Sequence, residues 1–164
     1  VRKERGTLPP VTLLCNDQYA DRCTFIAAQL KEIGLTIELE IVQPSLLRER
    51  MSNRQADFFW ATWIADYPDA EAYLALFNGT QPSPPNYTRF HQRAYDSLYE
   101  QSMCEADEGK RISLYRQMDQ VMLDEAPCVP LFYDEGLHFL QNRVKDFHTN
   151  ALNLPALKSL QLQP

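Results

Sequence analysis

A chain of 164 residues, 45% apolar and 23% charged, is long enough to form one domain with a real core, and nothing in its length calls for two. Its formal net charge of −6 argues against a phosphate-backbone partner, since nucleic-acid binding wants clustered Lys and Arg; it favours a cationic or zwitterionic ligand only weakly. No apolar run reaches bilayer-spanning length. The start, Val1 to Gly6, lacks both the hydrophobic core of a signal peptide and an initiator Met, so the chain is expected to be an excised piece of something longer.

Thr7-Leu8-Pro9-Pro10 reads as an extended lead-in and Val11 to Cys15 as a short buried strand. Asn16 or Asp17 then caps a helix that runs to Ile33, with Tyr19, Cys23, Ile26, Ala27, Leu30 and Ile33 at helical spacing; Gly34 ends it. Leu35 to Val42 alternates Leu35, Ile37, Leu39 and Ile41 with Thr36, Glu38 and Glu40, a half-buried strand placed towards a sheet edge. Pro44 opens a second helix with Leu46, Leu47 and Met51 on one side, ending near Asn53 to Gln55. Phe58 to Ile64, aromatic and apolar throughout, suits a central strand buried on both faces. Strand, helix, strand, helix, strand makes two βαβ units, which predicts an α/β fold with a mainly parallel sheet flanked by helices.

Asp66-Tyr67-Pro68-Asp69 is turn chemistry: Pro68 disfavours helix at Tyr67, and Asp69 caps a new helix whose apolar side is Tyr73, Leu76 and Phe77. The Asp66 carboxylate and three rings, Trp60, Trp63 and Tyr67, thus fall near the carboxyl end of a buried strand, where ligands bind in open α/β sheets. Without a bulge Trp60 and Trp63 face opposite sides of that strand, so one of them is expected in the core.

Asn78 to Asn86 is a surface loop of turn formers. His91 to Met103 is a helix with Ala94, Tyr95, Leu98, Tyr99 and Met103 inwards, and Asp107 caps a longer one, Glu108 to Glu125, with Ile112, Tyr115, Met118, Val121 and Met122 on one side. A short acidic turn joins them into an antiparallel hairpin. Pro127 to Tyr133, with two prolines, is an edge or partly paired strand; Asp134-Glu135-Gly136 is a turn, and Leu137 to Leu140 a returning strand. From Gln141 to Pro164 the pattern weakens, and irregular structure that needs other surfaces to pack on is expected.

The four cysteines, Cys15, Cys23, Cys104 and Cys128, form no Cys-x-x-Cys pair and read as small buried hydrophobes; Cys15 to Cys23 is one candidate if a bridge exists. His91, His138 and His148 share no helical face with a carboxylate or Cys, so no metal site is expected, and no cofactor. There is no Gly-x-Ser-x-Gly elbow and no Gly-rich phosphate loop, which leaves an enzyme without a motif.

Five segments carry a resemblance in their order and spacing: Trp63 to Asp69, Asn86 to Phe90, Tyr95 to Tyr99, Lys110 to Tyr115 and Ala126 to Tyr133. Together the chain from about Val11 to Tyr133 resembles the C-terminal lobe of the extracellular solute-binding proteins, family 5, of the oligopeptide and dipeptide ABC-transporter class. The resemblance implies one lobe of a bilobed periplasmic-binding-protein-like fold that closes on a peptide or similar small solute and delivers it to a membrane permease. It implies a periplasmic or lipid-anchored extracytoplasmic parent, residues 1–164 forming a single lobe, with 1–133 as its core and 134–164 returning towards the missing lobe. Asp66 matches the acidic residue that pairs with a ligand's free amino group, and a carboxylate in a cleft closed off from water selects amines strongly. Trp63 and Tyr67 match apolar wall, with Asn86 and Tyr87 within reach of the same cleft. Where some oligopeptide binders have an Arg, this sequence has Trp60, which departs from the route by which a ligand carboxylate is recognised. The competing expectations are the ligand-sensing domain of a transcriptional regulator, which an upstream helix-turn-helix would mark, and a hydrolase of unrelated family.

Overall fold

A computed structural model describes residues 9–133, 136–150 and 154–163. The predicted Val1 to Gly6 start, Thr7-Leu8 of the lead-in and Asp134-Glu135 of the turn lie outside the described residues. The chain divides into two compact units, Val1–Trp63 and Ile64–Pro164.

In the first unit, strand β1 (Val11–Cys15) and strand β2 (Ile37–Ile41) pair in parallel, in the register Leu13 to Leu39 and Cys15 to Ile41. Helix α1 (Ala20–Glu32) connects them after a 3-10 turn at Asp17–Tyr19, and Gly34 ends it at φ 90°, a left-handed conformation that costs a residue without Cβ little. Helix α2 (Pro44–Ser52) starts with Pro44 in its first turn, where a missing N–H costs no bond, and buries Leu47 and Met51. The core gathers Leu13, Cys15, Cys23 and Trp60, with Tyr19, Ile26, Ile37, Leu39 and Phe58 around them.

The predicted third strand is much shorter than Phe58 to Ile64. It pairs with β1 only by a parallel bridge between Phe59 and Leu14, in which Leu14 N–H donates to Phe58 O (3.0 Å) and Trp60 N–H to Leu14 O (2.9 Å). Beyond Trp60 no ladder continues, and Ile64 is 80% exposed. The central strand is therefore β1, covered by β2 on one side and the bridge on the other. On α1 the expected inward Ile33 is exposed, since it lies past the last helical turn.

The second unit is mainly helical. A single turn, α3 (Glu71–Leu74), passes into a 3-10 turn at Ala75–Phe77, and α4 (Arg93–Cys104) and α5 (Glu108–Glu125) pack as the expected hairpin. Gln92 caps α4 by accepting from the Ala94 and Tyr95 amides, and Asp107 caps α5 by accepting from Lys110 N–H at 2.9 Å. The core here is Leu74, Tyr95, Tyr99, Tyr115, Met118 and Met122. Four inward assignments change. Ala94 and Met103 are exposed on α4, where Asp96 and Ser102 are buried; Ile112 is exposed on α5; and α3 buries Glu71, Ala72 and Leu74 in place of Tyr73. A helix of one turn has no stripe long enough for periodicity to locate.

Pro127 to Tyr133 forms no assigned strand, in keeping with Pro127 and Pro130 offering no N–H to a ladder; Leu131, Phe132 and Tyr133 are exposed. Leu137 to Leu140 is likewise no strand, with Phe139 94% exposed. Among the described residues the remainder is irregular, as the weak pattern predicts, apart from a 3-10 turn at Leu157–Ser159, a two-residue antiparallel pair, β3 (Val144–Lys145) with β4 (Gln161–Leu162), and a bridge between Thr149 and Pro155.

Candidate functional site

Trp60 and Trp63 belong to the first unit; Asp66, Tyr67, Asn86 and Tyr87 belong to the second. Of the two tryptophans, Trp60 is the core residue: it is buried and stacks on Tyr19 with ring centroids 5.0 Å apart. Trp63 is 39% exposed and offers ring surface outwards. The buried thiols Cys15 and Cys23 share the same core and remain free, and burial together with a hydrogen bond to Cys15 pushes the Cys23 thiol up to about 12.

Asp66 stands on a turn and not on a strand end, because the ladder stops at Trp60. Its side chain is exposed and makes no hydrogen bond among the described residues. The residues after it are held tightly. Asp69 N–H donates to Tyr67 O (2.9 Å), and the Asp69 carboxylate accepts from Glu71 N–H (2.9 Å); it closes a turn one residue ahead of Ala70, which holds the cap position of α3 without a side-chain cap bond, so the expected capping role of Asp69 is not the one found. Asp69 Oδ2 also lies 3.8 Å from Arg111 Nη2. Glu71 is only 8% exposed, and both of its oxygens are used: the Tyr67 hydroxyl donates to one and the Tyr99 hydroxyl to the other. Burial, then the carboxylate beside each phenol, raises both buried tyrosines: Tyr99 well above the usual range and Tyr115 to about 12, with Arg111 opposing the rise at Tyr115.

Asn86 and Tyr87 sit on a second turn. Asn86 is 2% exposed, and its amide is committed to the loop: Nδ2 donates to Asn78 O (3.1 Å) and Phe90 O (2.9 Å), while Oδ1 accepts from Thr88 Oγ1 (3.0 Å) and Phe90 N–H (3.2 Å). Tyr87 is half-buried, and its carbonyl accepts from Arg89 Nη1 at 3.0 Å. Asp96 anchors the start of the loop, accepting from Gly79 N–H at 2.7 Å and lying 3.1 Å from His91 Nδ1; a Cβ at Gly79 would collide with the His91 ring and come within 2.8 Å of the Asp96 carboxylate. No hydrogen bond joins this loop to the Asp66 turn among the described residues. Nor do the described residues bring three or more His, Cys, Asp or Glu side chains together as metal ligands.

Sequence reasoning placed Tyr99 and Tyr115 in the core but missed their partners. The signal was present: buried tyrosines need acceptors for their hydroxyls, and Asp69 and Glu71 are acids at the start of the helix packed nearby.

The sequence profile described as "Bacterial extracellular solute-binding proteins, family 5 Middle" matches residues 4–85, half of the chain. The dipeptide-binding protein DppE of Bacillus subtilis is 26% identical over 141 residues, covering 84% of this chain and 26% of the relative. Among solved structures, Burkholderia pseudomallei OppA aligns with a TM-score of 0.80 at 25% identity, covering 94% of this chain and 31% of that one. Helicobacter pylori DppA in complex with the peptide STSA aligns at 0.80 and 19% identity, over 99% of this chain and 33% of that one, a likeness of fold alone. The chain spans about a quarter of the length of the curated relatives it matches. By the reach of that profile, and in agreement with the motifs from Trp63 to Tyr133, the chain belongs to the bacterial extracellular solute-binding proteins of family 5.

Proposed function

We propose that this chain is part of one lobe of a bilobed receptor that binds a peptide or similar small solute between its lobes and hands it to the membrane permease of an ABC transporter. It acts outside the cytoplasmic membrane, in the periplasm or on a lipid anchor, by binding and closure without covalent chemistry. The relatives named for dipeptide and oligopeptide binding support the solute class.

The observation that carries the reading is the Asp66 carboxylate, exposed and without a hydrogen bond among the described residues, on a turn whose other acid, Asp69, is already engaged. A ligand ammonium is the partner such a group lacks. Trp63 and Tyr67 offer exposed ring surface as apolar wall, and Tyr87 a half-buried ring. Trp60 is packed in the core of the first unit, and Asn86 locks its own loop in the second.

The test is calorimetric titration of the protein carrying both lobes with a pool of di- to pentapeptides and with the same pool N-acetylated. Asp66→Asn is expected to weaken binding of the free-amine pool by about 1–3 kcal/mol, the scale of a lost charge-assisted bond. Unchanged affinity would remove Asp66 from the site. Binding of neither pool by the unsubstituted protein would move the ligand to another solute class.

A further inference from the structure

We propose that Glu71 and Tyr99 are positioning residues that set the direction of the Asp66 turn and so its selectivity for a free amine. This rests on the function proposed above and deepens it.

Three carboxylates crowd the segment from Asp66 to Glu71, and they divide the work. Asp69 takes the Glu71 amide and Arg111. Glu71 takes the Tyr67 hydroxyl on one oxygen and the Tyr99 hydroxyl on the other, which ties the turn to α4 through a single buried side chain. Asp66 takes nothing among the described residues.

A carboxylate that has no bond of its own has no means of fixing its own direction; the direction must come from the backbone beneath it. That backbone belongs to no ladder and no helix. It is held instead by Pro68, whose ring fixes one dihedral, and by the ties at Tyr67 and Asp69 on either side of it. Glu71, which receives the tie from Tyr67 on one oxygen, receives Tyr99 on the other. The Tyr99 hydroxyl, though only 8% of the residue is exposed and none of it need meet ligand, thus sets how firmly Asp66 is presented. Amine recognition by one carboxylate depends on direction and distance, so loosening the turn costs the amine contact more than it costs apolar contacts elsewhere.

Tyr99→Phe removes the hydroxyl and leaves the ring in place; Glu71→Ala removes the whole tie. Both are made in the protein carrying both lobes, beside Asp66→Asn. Two quantities are read: hydrogen exchange at the Asp69 and Glu71 amides, and the ratio of affinities for the free-amine and N-acetylated di- to pentapeptide pools. The expected result for Tyr99→Phe is faster exchange at those two amides, unchanged exchange at the capped Lys110 amide, and a ratio lowered about three- to tenfold. Unchanged exchange and ratio would overturn the proposal. Faster exchange with both pools weakened equally would also overturn it, since a purely structural tie lowers both affinities alike. If Asp66→Asn leaves the ratio unchanged, the function proposed above is what fails, and the exchange data still report whether the tie exists.

Discussion

Between β1 and α2 every buried side chain is apolar or a thiol, whereas from Glu71 to Ser102 five polar side chains, Glu71, Asn78, Asn86, Asp96 and Ser102, are buried. The contrast follows from the backbone. In the first unit the parallel ladder from Val11 to Cys15 satisfies the main chain, so side chains need only fill volume. In the second, the segments at 66–70 and 78–91 pair with no strand, and their main-chain groups are met by side chains: Asp69, Asn78, Asn86 and Asp96 each accept from or donate to backbone. Regular pairing makes a core that is tolerant in chemistry; irregular backbone makes one that depends on particular polar atoms.

The largest effect tests whether the two cores are alike in what they do share. Leu13→Ala, in the first, and Met118→Ala, fully buried in the second, are each expected to cost about 2–5 kcal/mol in denaturant unfolding, because a cavity costs the same whichever backbone surrounds it. A value under 1 kcal/mol at Met118 would mean that the polar contacts and not the packing hold the hairpin.

A smaller effect separates them. Asn86→Ala leaves the Asn78 and Phe90 carbonyls without their donor and is expected to cost about 1–3 kcal/mol, with faster exchange confined to residues 78–90. If stability is unchanged, the side-chain replacement for a ladder is not what orders the loop.

The mildest is alkaline. Tyr115 and Cys23 both hold their protons more tightly folded than unfolded, Tyr115 up to about 12 against an ordinary 10.0 and Cys23 up to about 12 against 9.0. The unfolded chain therefore releases each proton first, and the stability these groups contribute is complete below the unfolded value and lost as pH rises to the folded one. Unfolding followed at pH 8, 9.5 and 11 is expected to show no loss at the first, loss through the Cys23 core by the second and through the Tyr115 core only at the third. Simultaneous loss in both would show the two cores to be coupled.

Where local chemistry decides, the sequence was legible. Pro44 at a helix start, Gly34 at a helix stop and Asp107 as a cap act within a few residues, and all three are found where expected. Strands need partners that no local pattern shows. Phe58 to Ile64 has the composition of a buried strand but pairs as a strand only by the bridge at Phe59, and Pro127 to Tyr133 is assigned no strand. At the candidate site the turn was readable from Pro68, but the helix begins one residue later than an Asp69 cap implies, with Ala70 at the cap position. The Glu71 tie was not readable, because a charged residue at the start of a short helix reads as surface until the buried Tyr99 phenol across from it is known to need an acceptor.

The bare stretch after α5 has a practical meaning at the bench. Val129, Leu131, Phe132, Tyr133, Leu137, Phe139 and Leu140 are all exposed, in a chain whose net charge of −6 gives only mild mutual repulsion. A preparation of this chain by itself is sticky by composition. It keeps best dilute and at low salt, where what repulsion there is goes least screened.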